Sequence, residues 1–242
     1  MMEKSLTMVD SFVCIDLETT GLNPKRDKII EIGAVKVERG QIVDLFETFV
    51  NPHRKLEERI VQLTGITDED LSGAPDMAQV LPQVFAFIGE DILLGHSILF
   101  DYSFLKKAAV DQKMKFERLG VDTLKIARKF LPELESRSLD FLCQHYQIPH
   151  RAHRALEDAK ATAALYQILK NQFATEETKK DFLAGNLLFN VKRDTPATKA
   201  QVERLYKLIE LHKLSPEIAP EQMTRSEASR YTDQVLAKYG RL

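Results

Sequence analysis

Apolar positions recur along this chain in two periods, and the switches between them mark out its elements. Residues 11–17, 28–37 and 42–50 are rich in β-branched and aromatic side chains and read as three strands. A turn at Arg39-Gly40 joins the last two into an antiparallel hairpin, and a polar loop, residues 22–27, separates the first two. Thr67 stands three residues before Asp70, the spacing of a capping box, so a short helix starts there. Residues 76–88 follow helical spacing, with Pro82 opposing it at the centre. Residues 92–97 read as a short buried strand that feeds a helix from Phe100 to about Lys115. Helices over 122–131 and 138–147 follow, then a long alanine-rich helix that opens near His153 and continues through Leu169. The pattern fades over 174–195 and resumes as two helices, 198–212 and 224–239. There are no internal repeats and no low-complexity segments.

Two acids interrupt the first strand at its end. Asp16 and Glu18 are two apart, so on a strand they leave the same face, roughly 7 Å apart along the chain. Carboxylates side by side near a core need a counter-charge, and hard divalent cations such as magnesium or manganese supply it through oxygen ligands. The plainer alternative is a helix cap and a solvated strand end. Asp101 lies at a strand-to-helix junction, where α/β folds place ligands, although aspartate also caps helices there. His153 and Asp158 are five apart, about 140° around a regular helix, so they share a site only if His153 precedes the helix proper.

Composition narrows the setting. The 242 residues suffice for one well-cored domain and a small appendage. Hydrophobic residues at 44% and charged residues at 29% describe a globular protein, and a net charge of −2 excludes a globally basic polyanion binder. No apolar stretch is long enough to span a membrane and residues 1–7 carry no signal-like apolar run, so the expected location is the cytoplasm. The two cysteines, Cys14 and Cys143, read as small buried hydrophobes. From Val191 onward the tail carries 10 basic and 7 acidic residues, a mild excess on helices expected to be solvent-facing.

Taken together, Asp-Leu-Glu-Thr-Thr-Gly at 16–21, Gly-His-Ser-Ile-Leu-Phe-Asp at 95–101 and His-Arg-Ala-Leu-Glu-Asp-Ala at 153–159 resemble the three motifs of the DEDDh 3′–5′ exonucleases, over roughly residues 10–172. Within that family the likeness is to the epsilon proofreading subunit of bacterial replicative polymerase and to the exonuclease domain of the Gram-positive polymerase. The resemblance implies an α/β, ribonuclease-H-like fold: a mixed five-stranded sheet, its first three strands antiparallel, with helices on both faces. It implies an exonuclease domain over 1–175, a linker over 176–195 and a helical extension over 196–242 of unknown role. Asp16, Glu18, Asp101 and Asp158 would then hold two divalent cations, Mg2+ or Mn2+, and His153 would be the general base. The same resemblance assigns Thr19, Thr20, Gly21, Leu22, His96, Ser97 and Phe100 to the terminal nucleotide. Ser97 departs from the asparagine common in the family at that place.

The implied activity is removal of nucleoside 5′-monophosphates from a single-stranded or frayed 3′ end of DNA, in proofreading or repair. An exoribonuclease and a non-catalytic nucleic-acid or polymerase-binding module are the alternatives. A DNA polymerase and a sliding clamp are the further partners; Leu187-Leu188-Phe189 resembles a clamp-binding peptide without its leading glutamine.

Overall fold

The computed structural model describes residues 8–216 and 218–240. They divide into two compact units, split between Val191 and Lys192.

The first unit is built on a sheet of six strands: β1 (Phe12–Thr19), β2 (Ile29–Glu38), β3 (Gln41–Phe49), β4 (Leu93–Gly95), β5 (Leu119–Asp122) and β6 (Gly185–Asn186). Their order is β3-β2-β1-β4-β5-β6. The first three run antiparallel to their neighbours, β4 and β5 continue parallel to β1, and β6 closes the far edge antiparallel to β5. The sheet therefore has six strands where five were expected. β6 is only two residues long and leaves no periodic trace in the sequence. It falls in the stretch expected to be a linker, and Phe182, Ala184 and Leu187 around it are buried in the core. An apolar minority inside a polar stretch is thus enough to complete a sheet when its neighbour strand offers a free edge.

The remaining elements are the helices α1 (Glu58–Thr64), α2 (Asp68–Ser72), α3 (Met77–Ile88), α4 (Leu99–Asp111), α5 (Thr123–Phe130), α6 (Leu139–Tyr146) and α7 (Ala155–Phe173). Thr67 caps α2 through the expected reciprocal box with Asp70, and Asp76 and Gln79 do the same for α3. Pro82 lies within α3, exposed, while Val80, Leu81, Val84 and Ile88 are buried. Their burial offsets the roughly 3 kcal/mol that an interior proline costs. α1 was not anticipated from the sequence.

Alternation along β1 sorts the core into two layers. Phe12 and Cys14 face one cluster with Val35, Val37, Ala159, Ala163 and Tyr166, which is the α7 side. Val13, Ile15 and Leu17 face the other, with Ile32, Val84, Tyr102 and Leu105 from β2, α3 and α4. On the α7 side the helix comes close to the strand itself. A Cβ at Gly33 of β2 would lie 2.1 Å from the backbone of Ala155 and Leu156, so glycine is what lets the first turn of α7 rest on β2.

The second unit contains α8 (Lys199–His212) and α9 (Arg225–Tyr239). Thr198 and Thr224 each cap their helix through a capping box. Pro196 and Thr224 form an antiparallel bridge, and Leu205, Met223 and Ala228 make a small core between the helices. Among the described residues no helix is long and apolar enough to cross a membrane.

Candidate metal and nucleic-acid site

The carboxyl end of β1 is where the acids gather. Asp16 and Glu18 leave the α7 face of the strand, and Asp158 stands in the first turn of α7. Each of the three offers an oxygen, and these oxygens lie within 4.8 Å of one another. Glu18 and Asp158 are buried and Asp16 is half-buried. Asp101, buried in the first turn of α4, comes from the opposite layer and stands outside that group of three. Its Oδ1 accepts the backbone N–H of Leu17 at 3.1 Å, which ties α4 to the strand between the two β1 carboxylates.

Like charges held this close resist ionisation. Burial raises Asp16 well above the usual carboxylate range, and the neighbouring charges of Asp101, Asp158 and Glu18 raise it further. Burial, then Asp158 and Glu31, push Glu18 up to about 8, with Arg154 pulling the other way. Asp101 and Asp158 are raised as well, in both cases by burial. An all-oxygen donor set with excess negative charge is the chemistry that a hard divalent cation satisfies, so these residues fit one.

A pH effect follows from Glu18. Between the ordinary glutamate value of 4.5 and about 8, the folded chain holds a proton that the unfolded chain has released. Stability of the cation-free protein therefore falls as pH rises through that window. We expect a melting temperature at least about 4 °C lower at pH 8.5 than at pH 5.5 in EDTA, a slope flattened by Glu18→Gln and by excess Mg2+. Calorimetry that shows the same slope in Glu18→Gln would exclude this origin.

His153 precedes α7, in the left-handed region at φ 62°, and its backbone N–H donates to Asp158 Oδ2 at 3.0 Å. His153 and Asp158 are thus both at the start of α7 without sharing a helical face. The turn after β1 is fixed by short bonds: Thr19 Oγ1 donates to Gly21 O at 2.7 Å, and Lys28 N donates to Thr20 Oγ1 at 2.9 Å. Leu22, beyond that turn, is 83% exposed. Phe100 is half-buried against Phe104, with ring centroids 5.0 Å apart.

One of the expected nucleotide contacts, His96, is engaged within the chain at both ring nitrogens. His96 has Thr123 Oγ1 at 2.9 Å from Nδ1 and Arg137 O at 2.7 Å from Nε2, and burial lowers its pKa. Ser97 sits at φ 77° with its N–H bonded to Asp122 Oδ1 at 3.0 Å. Asparagine enters that left-handed region more readily than serine.

Three residues were not singled out from the sequence. Glu31 of β2 is fully buried opposite Glu18, and it takes Arg154 Nη2 at 2.8 Å and the N–H of Ala155 at 3.0 Å. It thus fastens the start of α7 to the sheet. Its signal was present: an acid inside Ile29-Ile30-Glu31-Ile32 has to be paired. His150 Nε2 is hydrogen-bonded to Asp158 Oδ1, with Asp140 Oδ1 3.1 Å from its Nδ1. No pattern in the sequence marks either His150 or Asp140.

The comparisons with known proteins agree with this geometry. The profile of the family described as Exonuclease matches residues 13–166. The DNA polymerase III PolC-type of Oceanobacillus iheyensis is 43% identical over 172 residues, which is 69% of this chain and 12% of that protein. Its namesake from Bacillus subtilis is 35% identical over 241 residues, 94% of this chain and 17% of that protein. The chain thus spans under a fifth of the length of either relative. Among solved structures, Exonuclease X in complex with 5′ overhanging duplex DNA is 27% identical with a TM-score of 0.57, covering 71% of this chain and 98% of its own. All of the residues gathered at the end of β1 fall within the matched span, and the chain belongs to the Exonuclease family.

Proposed function

We propose that this protein is a metal-dependent 3′–5′ exonuclease that removes nucleoside 5′-monophosphates one at a time from single-stranded or frayed DNA 3′ ends, in proofreading or repair. The observation that carries the reading is the convergence of Asp16, Glu18 and Asp158 within 4.8 Å at the end of β1. The family membership and the polymerase relatives support the direction and the DNA substrate; those relatives, bacterial DNA polymerases, also support a cytoplasmic place and a polymerase as partner.

In this reading Asp16, Glu18 and Asp158, with Asp101 beside them, would hold two divalent cations, Mg2+ or Mn2+. When bound, these supply an activated water and charge neutralisation at the leaving 3′ oxygen. His153, placed on the loop that leads into α7, accepts the proton of the attacking water. The Thr19–Leu22 turn lies at the end of the same strand with Leu22 exposed; in this reading the turn's backbone would face the terminal nucleotide and Leu22 would wedge against its base. His96 and Ser97 act from behind, by fixing the turn that leads into α4, whose first turn carries Phe100. The helices beyond Lys192 form an appendage outside this catalytic unit.

The test follows 5′-labelled single-stranded DNA and RNA of one sequence with Mg2+ or Mn2+. A ladder shrinking from the 3′ end of the DNA and abolished by EDTA is expected. Cleavage of RNA alone would move the substrate to RNA, and no cleavage with either metal would overturn the enzymatic reading.

A further inference from the structure

His150 lies three residues before His153, in the loop between α6 and α7. Its ring is 7% exposed and is placed between two carboxylates from different helices. Nε2 is hydrogen-bonded to Asp158 Oδ1, and Nδ1 stands 3.1 Å from Asp140 Oδ1 of α6. The second oxygen of Asp158 already accepts the His153 backbone N–H at 3.0 Å. Both oxygens of this carboxylate are therefore aimed, one by a side chain and one by the main chain. A carboxylate oxygen has two lone pairs, so each retains one for a cation. On the α6 side, His150 also lines a cavity of about 550 Å³ together with Asp140, Cys143, Gln147 and Pro149. The polar contacts of the ring are those to its two carboxylates.

We propose that His150 is a positioning residue of the site, holding the Asp158 carboxylate at the angle where it meets Asp16 and Glu18, with Asp140 holding His150 in turn. This rests on the reading of Asp158 as a cation ligand. Hydrogen-bonding partners of this kind fix a ligand's rotamer before the cation arrives, and their loss commonly weakens metal affinity by about 10–100-fold. His150 does this from eight residues away along the chain.

Calorimetric titration of the full chain with Mn2+ alone tests it, comparing the parent with Asp158→Ala, His150→Ala, His150→Gln and Asp140→Ala. The expected result is an affinity about 10–100-fold weaker in His150→Ala. In His150→Gln, which keeps an N–H donor, affinity recovers to within a few-fold of the parent. Asp140→Ala loses several-fold; its side chain is 48% exposed, so the fold tolerates the change. Equal Mn2+ binding by the parent and Asp158→Ala would overturn the carboxylate site itself. Binding that requires Asp158 yet is undiminished or tighter in His150→Ala would leave that site standing and overturn the positioning role, as would failure of the glutamine to restore it. Should His150→Ala not fold, Asp140→Ala decides: several-fold weaker binding supports the proposal and parental affinity overturns it.

Discussion

Asp16→Asn lowers 3′–5′ hydrolysis by at least about 1,000-fold and, in EDTA at pH 8, raises the melting temperature. Both halves come from the same crowding of charge. Asp16 shares the α7 face of β1 with Glu18, and its oxygens lie within 4.8 Å of those of Glu18 and Asp158. Losing a cation ligand removes several kcal/mol of charge stabilisation in the transition state, and about 4 kcal/mol corresponds to roughly 1,000-fold in rate. Without the cation the same carboxylate is a burden. Burial and the charges of Asp101, Asp158 and Glu18 all oppose its ionisation, which is why its pKa is raised. An uncharged amide of the same shape relieves that opposition, worth roughly 0.5–2 kcal/mol as for other gains made at functional sites. At about 2–4 °C per kcal/mol for a chain of this size, the melting temperature rises by several degrees. Single-turnover digestion and thermal unfolding decide the two halves separately. Activity within tenfold of the parent would remove Asp16 from the ligand set, and a lower melting temperature would show that the site is not under repulsion.

The acids that matter most here were legible because they break a pattern. Asp16 and Glu18 stand at the end of an apolar strand where period-two alternation would place core side chains, and the structure puts both on one face. The hairpin of β2 and β3, the capped start of α2, the helical spacing of α3 and the long α7 were readable too, since each is specified by nearby residues. What escaped depends on distant partners. β5 and β6 are four and two residues long and exist because β4 and β5 present free edges to them. His150 reaches Asp158 only once the loop before α7 has taken its shape, with His153 at positive φ. His96 shows the reverse: a histidine inside a motif reads as a substrate contact, yet both of its nitrogens are engaged by Thr123 and Arg137. Residue type reveals capacity, whereas the fold decides where that capacity is spent.

Gly33→Ala tests the feature that brings the site together. Gly33 is the register partner of Asp16 across β1 and β2, so this close approach of α7 to the sheet occurs beside the first carboxylate. The added methyl would sit 2.1 Å from the main chain of Ala155 and Leu156. Main chain cannot rotate aside as a side chain can, and Glu31 pins this turn through Arg154 and the N–H of Ala155. The variant must therefore lift the start of α7 off the strand. Overpacking of this kind costs about 1–3 kcal/mol, and with backbone as the obstacle we expect the upper end. That is a fall of roughly 6–12 °C in melting temperature. Activity drops about 100-fold as well, since a displacement near 1 Å is enough to misplace Asp158 and His153. Gly185→Ala in β6 is the matched comparison, because a Cβ there meets nothing within 4 Å; its stability and activity stay at the parental level. If Gly33→Ala were as stable and active as Gly185→Ala, α7 would not rest on β2 in solution. If it lost stability but kept activity, Asp158 would reach Asp16 and Glu18 without that contact. Loss of both is the outcome the geometry demands, because the same glycine lets the helix dock and delivers the third carboxylate to the other two.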